Sequence, residues 1–279
     1  MTMLSINTNV GALQAARSSY SVNKSMEQSM ERLASGKRVN SAADDAAGLA
    51  ISTRLNAEIQ GINQSVRNAS DAQGMLGVAE GALVEVHSLL LRMRELAVQS
   101  ASETVSAADR DMLQTEVAQL ESEIQRIHDD TTWAGITLLA GGFTSGATFQ
   151  IGPRNSDTIQ ISISAIEPLS TVTDGGLNLN NHVSTQDNAG TYIGVIDGAI
   201  SIISADRATY GAVMNRLDHA MANLQNVATN LSVAKGRIED ADFATESSNL
   251  ARTQVLQQAS MAMLAQANAS KQNILSLFQ

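Results

Sequence analysis

The stretch from Leu55 to Ala97, LNAEIQGINQSVRNASDAQGMLGVAEGALVEVHSLLLRMRELA, decides the fold. Apolar residues step through it at threes and fours: Leu55, Ile59, Ile62, Val66, Ala69, Ala72, Leu76, Ala79, Leu83, Val86, Leu90, Met93 and Ala97. Strict alternation breaks once, where two threes run together at Val66, Ala69 and Ala72. Such spacing keeps one narrow stripe on one side of a helix. No proline interrupts it, so the helix would run about 65 Å at 1.5 Å per residue. A rod of that length cannot bury its seam against itself. It requires other long helices alongside, from this chain or from copies of it.

A second seam matches the first. Ile196, Ile200, Ile203, Arg207, Tyr210, Met214, Leu217, Met221, Leu224, Ala228 and Leu231 are all three or four apart. The period suits packing beside the first rod as a left-handed bundle. Between the two, Ser106 and Asp109 have capping-box spacing, and Leu113, Val117, Leu120, Ile124 and Ile127 mark a shorter helix. The short connection makes it antiparallel to the first rod, which should end near Glu103 to Ser106. Ser41 and Asp44 form a similar pair ahead of the first rod, where Asp44 and Asp45 place negative charge at a helix N-terminus.

The chain ends are helical but thinly seamed. From Leu4 to Ala34 the larger apolar positions are Ile6, Val10, Leu13, Tyr20, Met30 and Leu33, and Gly36 stands where a left-handed terminating residue is wanted. Such a helix is marginal alone and needs a partner. Charge interrupts the chain from Gly236 to Ala244. From Glu246 to Leu275 it is helical again, with Leu256, Met263, Ala267 and Ile274 on one side. In the middle, Thr148 to Ile151 and Thr158 to Ser164 alternate around the turn residues Gly152 to Asp157, the pattern of a β-hairpin. Glu167 to Gly190, rich in Ser, Thr, Asn, Asp and Gly, reads as an exposed loop or a small β excursion. The fold class is therefore mainly α: a long-helix, coiled-coil-like bundle with a small β-hairpin insert and nested terminal helices.

Composition agrees with extended helices. Of 279 residues, 3 % are aromatic and two are proline, which leaves little material for a thick compact core. The net charge of −10 and a pI near 4.8 argue against a general nucleic-acid binder, which needs a basic face. The absence of cysteine excludes disulfides, thiolate metal sites and cysteine nucleophiles. The opening residues lack a basic segment followed by an apolar one, so no ordinary secretory signal is expected. No apolar run approaches about 18 residues, so no membrane contact through a spanning helix is expected.

Catalytic signatures are missing. His87, His128, His182 and His219 are far apart and read as surface or flanking positions rather than metal ligands. Asp129-Asp130 and Asp240 with Asp242 are paired carboxylates best explained as turn or helix-end residues. There is no phosphate loop, dinucleotide fingerprint or nucleophile elbow, so no enzyme activity, cofactor or metal is expected. Arg92, Arg94 and Glu95 read from pattern as a solvated face with helical charge pairs, and the methionines as core filler.

The two ends carry a family pattern. Ser5-Ile6-Asn7-Thr8-Asn9, the run Glu31 to Leu49 (ERLASGKRVNSAADDAAGL) and Arg92 to Gln99 (RMRELAVQ) resemble the N-terminal region of bacterial flagellin. Gly236 to Glu246 (GRIEDADFATE), Leu264 to Asn268 (LAQAN) and Gln272 to Phe278 (QNILSLF) resemble its C-terminus. About half the chain is covered, at both ends and in order.

The resemblance implies a subunit that polymerises into a helical filament for swimming motility. Residues 1–44 and 239–279 would form the inner-tube helices, with Ile6, Val10, Leu13, Leu33, Leu256, Met263 and Ile274 at subunit interfaces. Residues 45–137 and 193–238 would form the surrounding core layer. Residues 138–192 would hold the hairpin and a short variable loop, where larger flagellins carry outer domains. The protein would be secreted through the flagellar export apparatus with a chaperone, and would meet cap and hook-associated proteins. The end helices would fold on assembly. Host innate immune receptors are further partners: Asp44 and Gly48 match a plant receptor epitope, and Arg92, Leu96 and Glu116 match contacts of the mammalian Toll-like receptor for flagellin. Leu91 and Met93 depart from the commoner Gln and Val there. Because Leu96 is outside the seam, it is expected to be partly exposed beside Arg92, and the antiparallel return of the third helix is expected to bring Glu116, next to the seam residue Val117, close to Arg92. Related alternatives are a hook–filament junction protein, a flagellin-like chain with a catalytic insert, and a non-polymerising exported coiled-coil adaptor.

Overall fold

The computed structural model describes residues 8–143, 146–163 and 183–276, with side chains through 270. The order of elements is α1 (Val10–Ser35), α2 (Ala46–Ser100), α3 (Ala107–Asp130), β1 (Thr132–Trp133), β2 (Ile136–Thr137), β3 (Ala147–Gln150), β4 (Thr158–Ile161), α4 (Gln186–Glu239) and α5 (Phe243–Ser276). Packing divides the chain into an end unit, Met1–Ile59 with Thr229–Gln279, and a central unit, Gln60–Ala228. The division falls inside α2 and α4. Helix continuity is a local property, whereas compact units follow from which stretches find neighbours.

The core of the central unit lies along the α2 seam. Ala69, Ala72, Leu76, Ala79, Leu83, Leu90, Met93 and Ala97 are inaccessible to solvent, and Val86 nearly so. Val117 and Ile124 of α3 and Ile196, Ile203, Tyr210 and Leu217 of α4 close the core, with Leu138, Leu139, Ile159 and Ile161. Polar bonds fix antiparallel registers: Arg94 Nε to Asp197 Oδ1 at 2.6 Å, Arg207 Nη2 to Glu80 Oε1 at 2.9 Å and Gln73 Nε2 to Asp218 Oδ1 at 2.6 Å join α2 to α4. Arg207, a seam position, leaves the stripe to pair with Glu80. The burial is wider than one stripe, because Met75 and Leu96 beside the seam are also enclosed. Although α2 contains an 18-residue window of mean hydropathy 1.4, long and apolar enough to cross a membrane by length and composition, its seam forms the protein's own core. The sequence reading found no such segment because small polar residues break the apolar run.

Several local signals act as expected. Ser106 caps α3, its Oγ accepting the Asp109 N–H at 3.2 Å while Asp109 Oδ2 accepts from Ser106 N at 3.3 Å, a complete capping box. Gly36, at φ 72°, ends α1 in the left-handed conformation and donates its N–H to Arg32 O at 2.9 Å. Strands β3 and β4 pair antiparallel with Phe149 opposite Ile159.

Other boundaries shift. The second helix begins at Ala46, and its cap is Asp45, whose Oδ1 accepts the Gly48 N–H at 2.8 Å. Ser41 and Asp44 instead close the preceding turn. Helix α2 ends at Ser100, before Glu103, where Arg110 takes the carbonyls of Ser100 and Ser102 at 2.8 and 2.9 Å. Helix α4 begins at Gln186, within the stretch read as loop, with Thr185 as its cap: Thr185 Oγ1 accepts from Asn188 N at 3.3 Å. The hydroxyl and amide groups of that first turn hide it from hydrophobic periodicity. Residues 164–182, the rest of the expected loop, lie outside the described residues, as do 144 and 145. The pair β1–β2 was not anticipated. Its turn is Ala134-Gly135, both at positive φ (50° and 84°), and alanine is an uncommon residue there.

Candidate functional site

Helices α1 and α5 pair antiparallel in the end unit. Asn9 caps α1 through its Oδ1, which accepts from Ala12 N at 3.1 Å, and its Nδ2 donates to Ala267 O at 3.1 Å. Further along, Gln257 Nε2 donates to Asn23 Oδ1 at 2.8 Å. At the other end, Glu246 accepts from Ser29 Oγ at 3.1 Å and Arg32 Nη1 at 2.9 Å. Arg38 N donates to Glu239 O at 2.6 Å and Ala241 N to Gly36 O at 3.0 Å, tying the two interhelix turns together. Lys37 and Lys235 both pair with Glu239, and Asp242 caps α5, accepting from Ala244 N at 2.9 Å.

What this pair buries is small or polar: Ser19 and Ser29 of α1, Glu246 and Thr253 of α5. What it exposes is apolar. Val10 is 64 % exposed, Leu13 57 %, Leu256 45 % and Met263 64 %, with Tyr20 and Val255 also outward. The described residues expected at subunit interfaces are therefore left exposed by the pair, except Leu33, which is half-buried. Ile6 and the Ile274 side chain lie outside the described residues. Leu256 and Met263 line a mostly apolar groove of about 520 Å³ with Gly11, Gln14, Ala15 and Ala259. A large unpartnered apolar surface marks a binding face.

Glu246 is nearly inaccessible. Burial pushes its pKa up, but the bonds from Arg32 and Ser29, with the Arg32 charge, outweigh it and hold the group below the ordinary 4.5. Glu239 is likewise depressed, chiefly by its bond from Lys37. A depressed carboxylate stabilises the fold above its ordinary pKa, and the contribution disappears as pH falls through the folded value. The α1–α5 pair is therefore expected to lose thermal stability on acidification below 4.5. Circular-dichroism melts across that range check this, and Glu246→Gln should flatten the slope. An unchanged slope in that variant would contradict the assignment.

On the central unit, Arg92 and Glu116 come together as expected: Arg92 Nη2 and Nε lie 2.8 and 3.0 Å from Glu116 Oε1, and Arg92 also bonds Glu95 at 3.0 Å. Both partners are exposed. Leu96 is the correction. It is 1 % exposed, not a surface residue. The seam takes only one residue per turn, Met93 and then Ala97, whereas α3 and α4 packed on α2 together widen the buried arc to take in Leu96 as well. Leu91 does face solvent, at 44 %.

Asp44 is half-buried and accepts from Ser41 N at 2.9 Å, Ser41 Oγ at 3.0 Å and Asn40 N at 3.2 Å, bonds that hold its carboxyl below the usual carboxylate range. Gly48 is buried at the third position of α2. A side chain there would meet the Asp45 carboxylate at 2.4 Å, so glycine allows the cap to close.

The paired carboxylates are structural: Asp130 pairs with Arg126 at 3.1 Å and Asp242 caps α5. His128 departs from its expected surface position. It is buried, its Nδ1 2.9 Å from Asp129 Oδ1. His87 is half-buried and His219 exposed, while His182 lies outside the described residues. Among the described residues no group of three or more His, Cys, Asp or Glu side chains could hold a metal ion. Met75 and Met93 fill core, but Met112, Met261 and Met263 are largely exposed, so methionine is not only filler here.

Comparison with known proteins agrees with this organisation. Residues 6–144 match the bacterial flagellin N-terminal helical region and residues 193–278 the bacterial flagellin C-terminal helical region. A flagellin of Halalkalibacterium halodurans is 40 % identical over 274 residues, 98 % of this chain and 99 % of that protein. A flagellin of Bacillus subtilis is 36 % identical over 302 residues, with 98 % and 99 % covered. The crystal structure of Bacillus cereus flagellin is similar at a TM-score of 0.50 and 34 % identity, covering 61 % of this chain and 94 % of that one. A putative flagellar hook-associated protein from Vibrio parahaemolyticus shares the fold at a TM-score of 0.62 but 17 % identity, covering 71 % and 100 %. With both terminal regions matched in order and near-complete coverage of relatives this similar, the chain belongs to the bacterial flagellin family.

Proposed function

We infer that this chain is the structural subunit of a bacterial flagellar filament and works by self-polymerisation, without catalysis. The observation that carries this reading is the outward apolar face of the α1–α5 pair, with Val10, Leu13, Leu256 and Met263 unburied in the single chain. A face repeated on identical subunits through a heterologous contact grows an open helix rather than a closed ring. The chain would leave the cell through the flagellar export apparatus with a chaperone and add beneath a cap protein, distal to hook-associated proteins. The filament would be extracellular and would transmit torque for swimming. Seeded growth tests the reading: purified monomer added to sheared filaments should lengthen them in negative-stain micrographs. Monomer that occupies seed ends without elongating them would mark a hook–filament junction protein instead.

Host recognition would be the host's use of other residues of the chain, not the protein's own task. Arg92 and Glu116 would contact a mammalian Toll-like receptor directly, with Leu96 supporting them from beneath. Asp44 and Gly48 would belong to the segment read by plant receptors. Arg92→Ala is expected to cut receptor reporter activation by about tenfold, in keeping with loss of a charge-assisted contact, while leaving the melting temperature within a few degrees. Equal activation by variant and wild type would remove Arg92 from the contact. Leu96→Ala cannot test contact, because it removes a buried side chain.

A further inference from the structure

We propose that Met263 is an oxidation site through which a peroxide blocks polymerisation of the free subunit. The proposal rests on the filament reading above. Two observations carry it. Met263 is 64 % exposed, whereas Met75 and Met93 are inaccessible in the central core. Met263 also lines the groove between α1 and α5, against Gly11, Ala15, Leu256 and Ala259. Thioether reactivity follows access, so Met263 is open to oxidation in the monomer and the core methionines are not. Met261 and Met112, at 57 % and 73 %, are equally open but do not line the groove. They therefore separate oxidation as such from oxidation at this position.

The chemistry balances. The sulfur lone pair attacks one oxygen of hydrogen peroxide, an S–O bond forms, the O–O bond breaks, and the departing hydroxide takes the proton from the new S–OH group to leave as water. Sulfur loses two electrons and peroxide gains them. The product sulfoxide is a strongly polar acceptor on an otherwise mostly apolar wall. Among the described residues that wall also carries the polar side chains of Gln14, Ser18, Ser260, Gln266 and Ser270. Docking another subunit must strip water from the new oxygen and replaces an apolar thioether contact with a polar one, which opposes docking. Once a subunit is in a filament, the same burial shields the thioether. Oxidation therefore acts on exported or released monomer rather than on assembled protein. A thiol-dependent methionine sulfoxide reductase reverses it, the oxygen leaving as water while two thiols join as a disulfide.

The test treats full-length monomer with hydrogen peroxide, confirms the sulfoxides by peptide mass spectrometry and measures elongation of untreated seeds. Wild type carrying the Met263 sulfoxide should elongate at least about tenfold more slowly than untreated protein. Met263→Leu, close in volume and not oxidisable, should keep most of its rate after the same treatment, while Met261→Leu should remain sensitive. Reductase treatment of oxidised wild type should restore elongation. Oxidised wild type growing at the untreated rate overturns the proposal, as does Met263→Leu losing as much as wild type. If Met263→Leu does not assemble even untreated, the reductase arm decides: recovery supports the proposal and no recovery overturns it. Failure of untreated wild type to elongate seeds would instead sink the filament reading itself.

Discussion

Removing residues 1–35 or 246–279 is expected to abolish seeded filament growth while the remaining chain stays helical. The core of the central unit is drawn wholly from residues 69–217, so neither truncation touches it. Each truncation does remove one half of the α1–α5 pair and the outward apolar residues it carries. A fully buried Val, Leu or Met side chain contributes roughly 1.5–3 kcal/mol. Losing two or three from each repeated contact therefore reduces subunit addition by several orders of magnitude. A point variant reaches the same end without truncation. Leu256→Asp places a charge on the groove wall and should stop elongation while leaving the melting curve close to wild type, because Leu256 is 45 % exposed in the monomer. Light scattering with seeds, followed by negative-stain microscopy, reads the two truncates and the point variant. Long filaments from either truncate would show that the end helices are not the polymerising elements.

The largest effect on stability is expected at the α2 seam. Leu83 and Leu90 are inaccessible and packed in the central core. Replacing either by alanine removes the transfer free energy of its side-chain carbons and leaves a cavity that stiff helices cannot collapse, at a cost of about 2–5 kcal/mol. Leu96→Ala should fall in the same range, a direct consequence of its 1 % exposure. Val84→Ala, at a position 37 % exposed, should change stability by no more than about 0.5 kcal/mol. Thermal and urea unfolding of the four variants under one condition provides the comparison. If Leu96→Ala and Val84→Ala proved equally mild, Leu96 would not be buried in solution.

Residue spacing alone was enough for the long helices. In α2 and α4 a three–four spacing sustained over many turns leaves no other regular structure able to keep the apolar residues on one side. Ser106 with Asp109, and Gly36, were legible for a related reason: their bonds stay within a few residues, so no distant partner is needed. The alternation from Thr158 onward gave the strand for the same reason. The short pair Thr132–Trp133 and Ile136–Thr137 carried no such signal, since its turn holds alanine at positive φ and Trp133 packs over Gly74, a residue distant in sequence. The N-terminal turn of α4 was equally silent, because its cap Thr185 is followed by polar residues.

The candidate surfaces divide the same way. The sequence brought Arg92 and Glu116 together correctly, because an antiparallel return from a short connection fixes which turns of α2 and α3 face each other. It also located the apolar residues of the end helices. What it could not decide was which of them the chain would bury. Val10, Leu13, Leu256 and Met263 look like any thin seam, and only the pairing of α1 with α5 through Ser19, Ser29, Glu246 and Thr253 turns them outward. Leu96 and His128 are the converse, one read as partly exposed and the other as a surface or flanking position, and both are enclosed. A repeat of apolar residues fixes the direction of a helix's buried side, whereas the width of that side depends on how many neighbours pack against it, and that number is set by contacts between residues far apart in the chain.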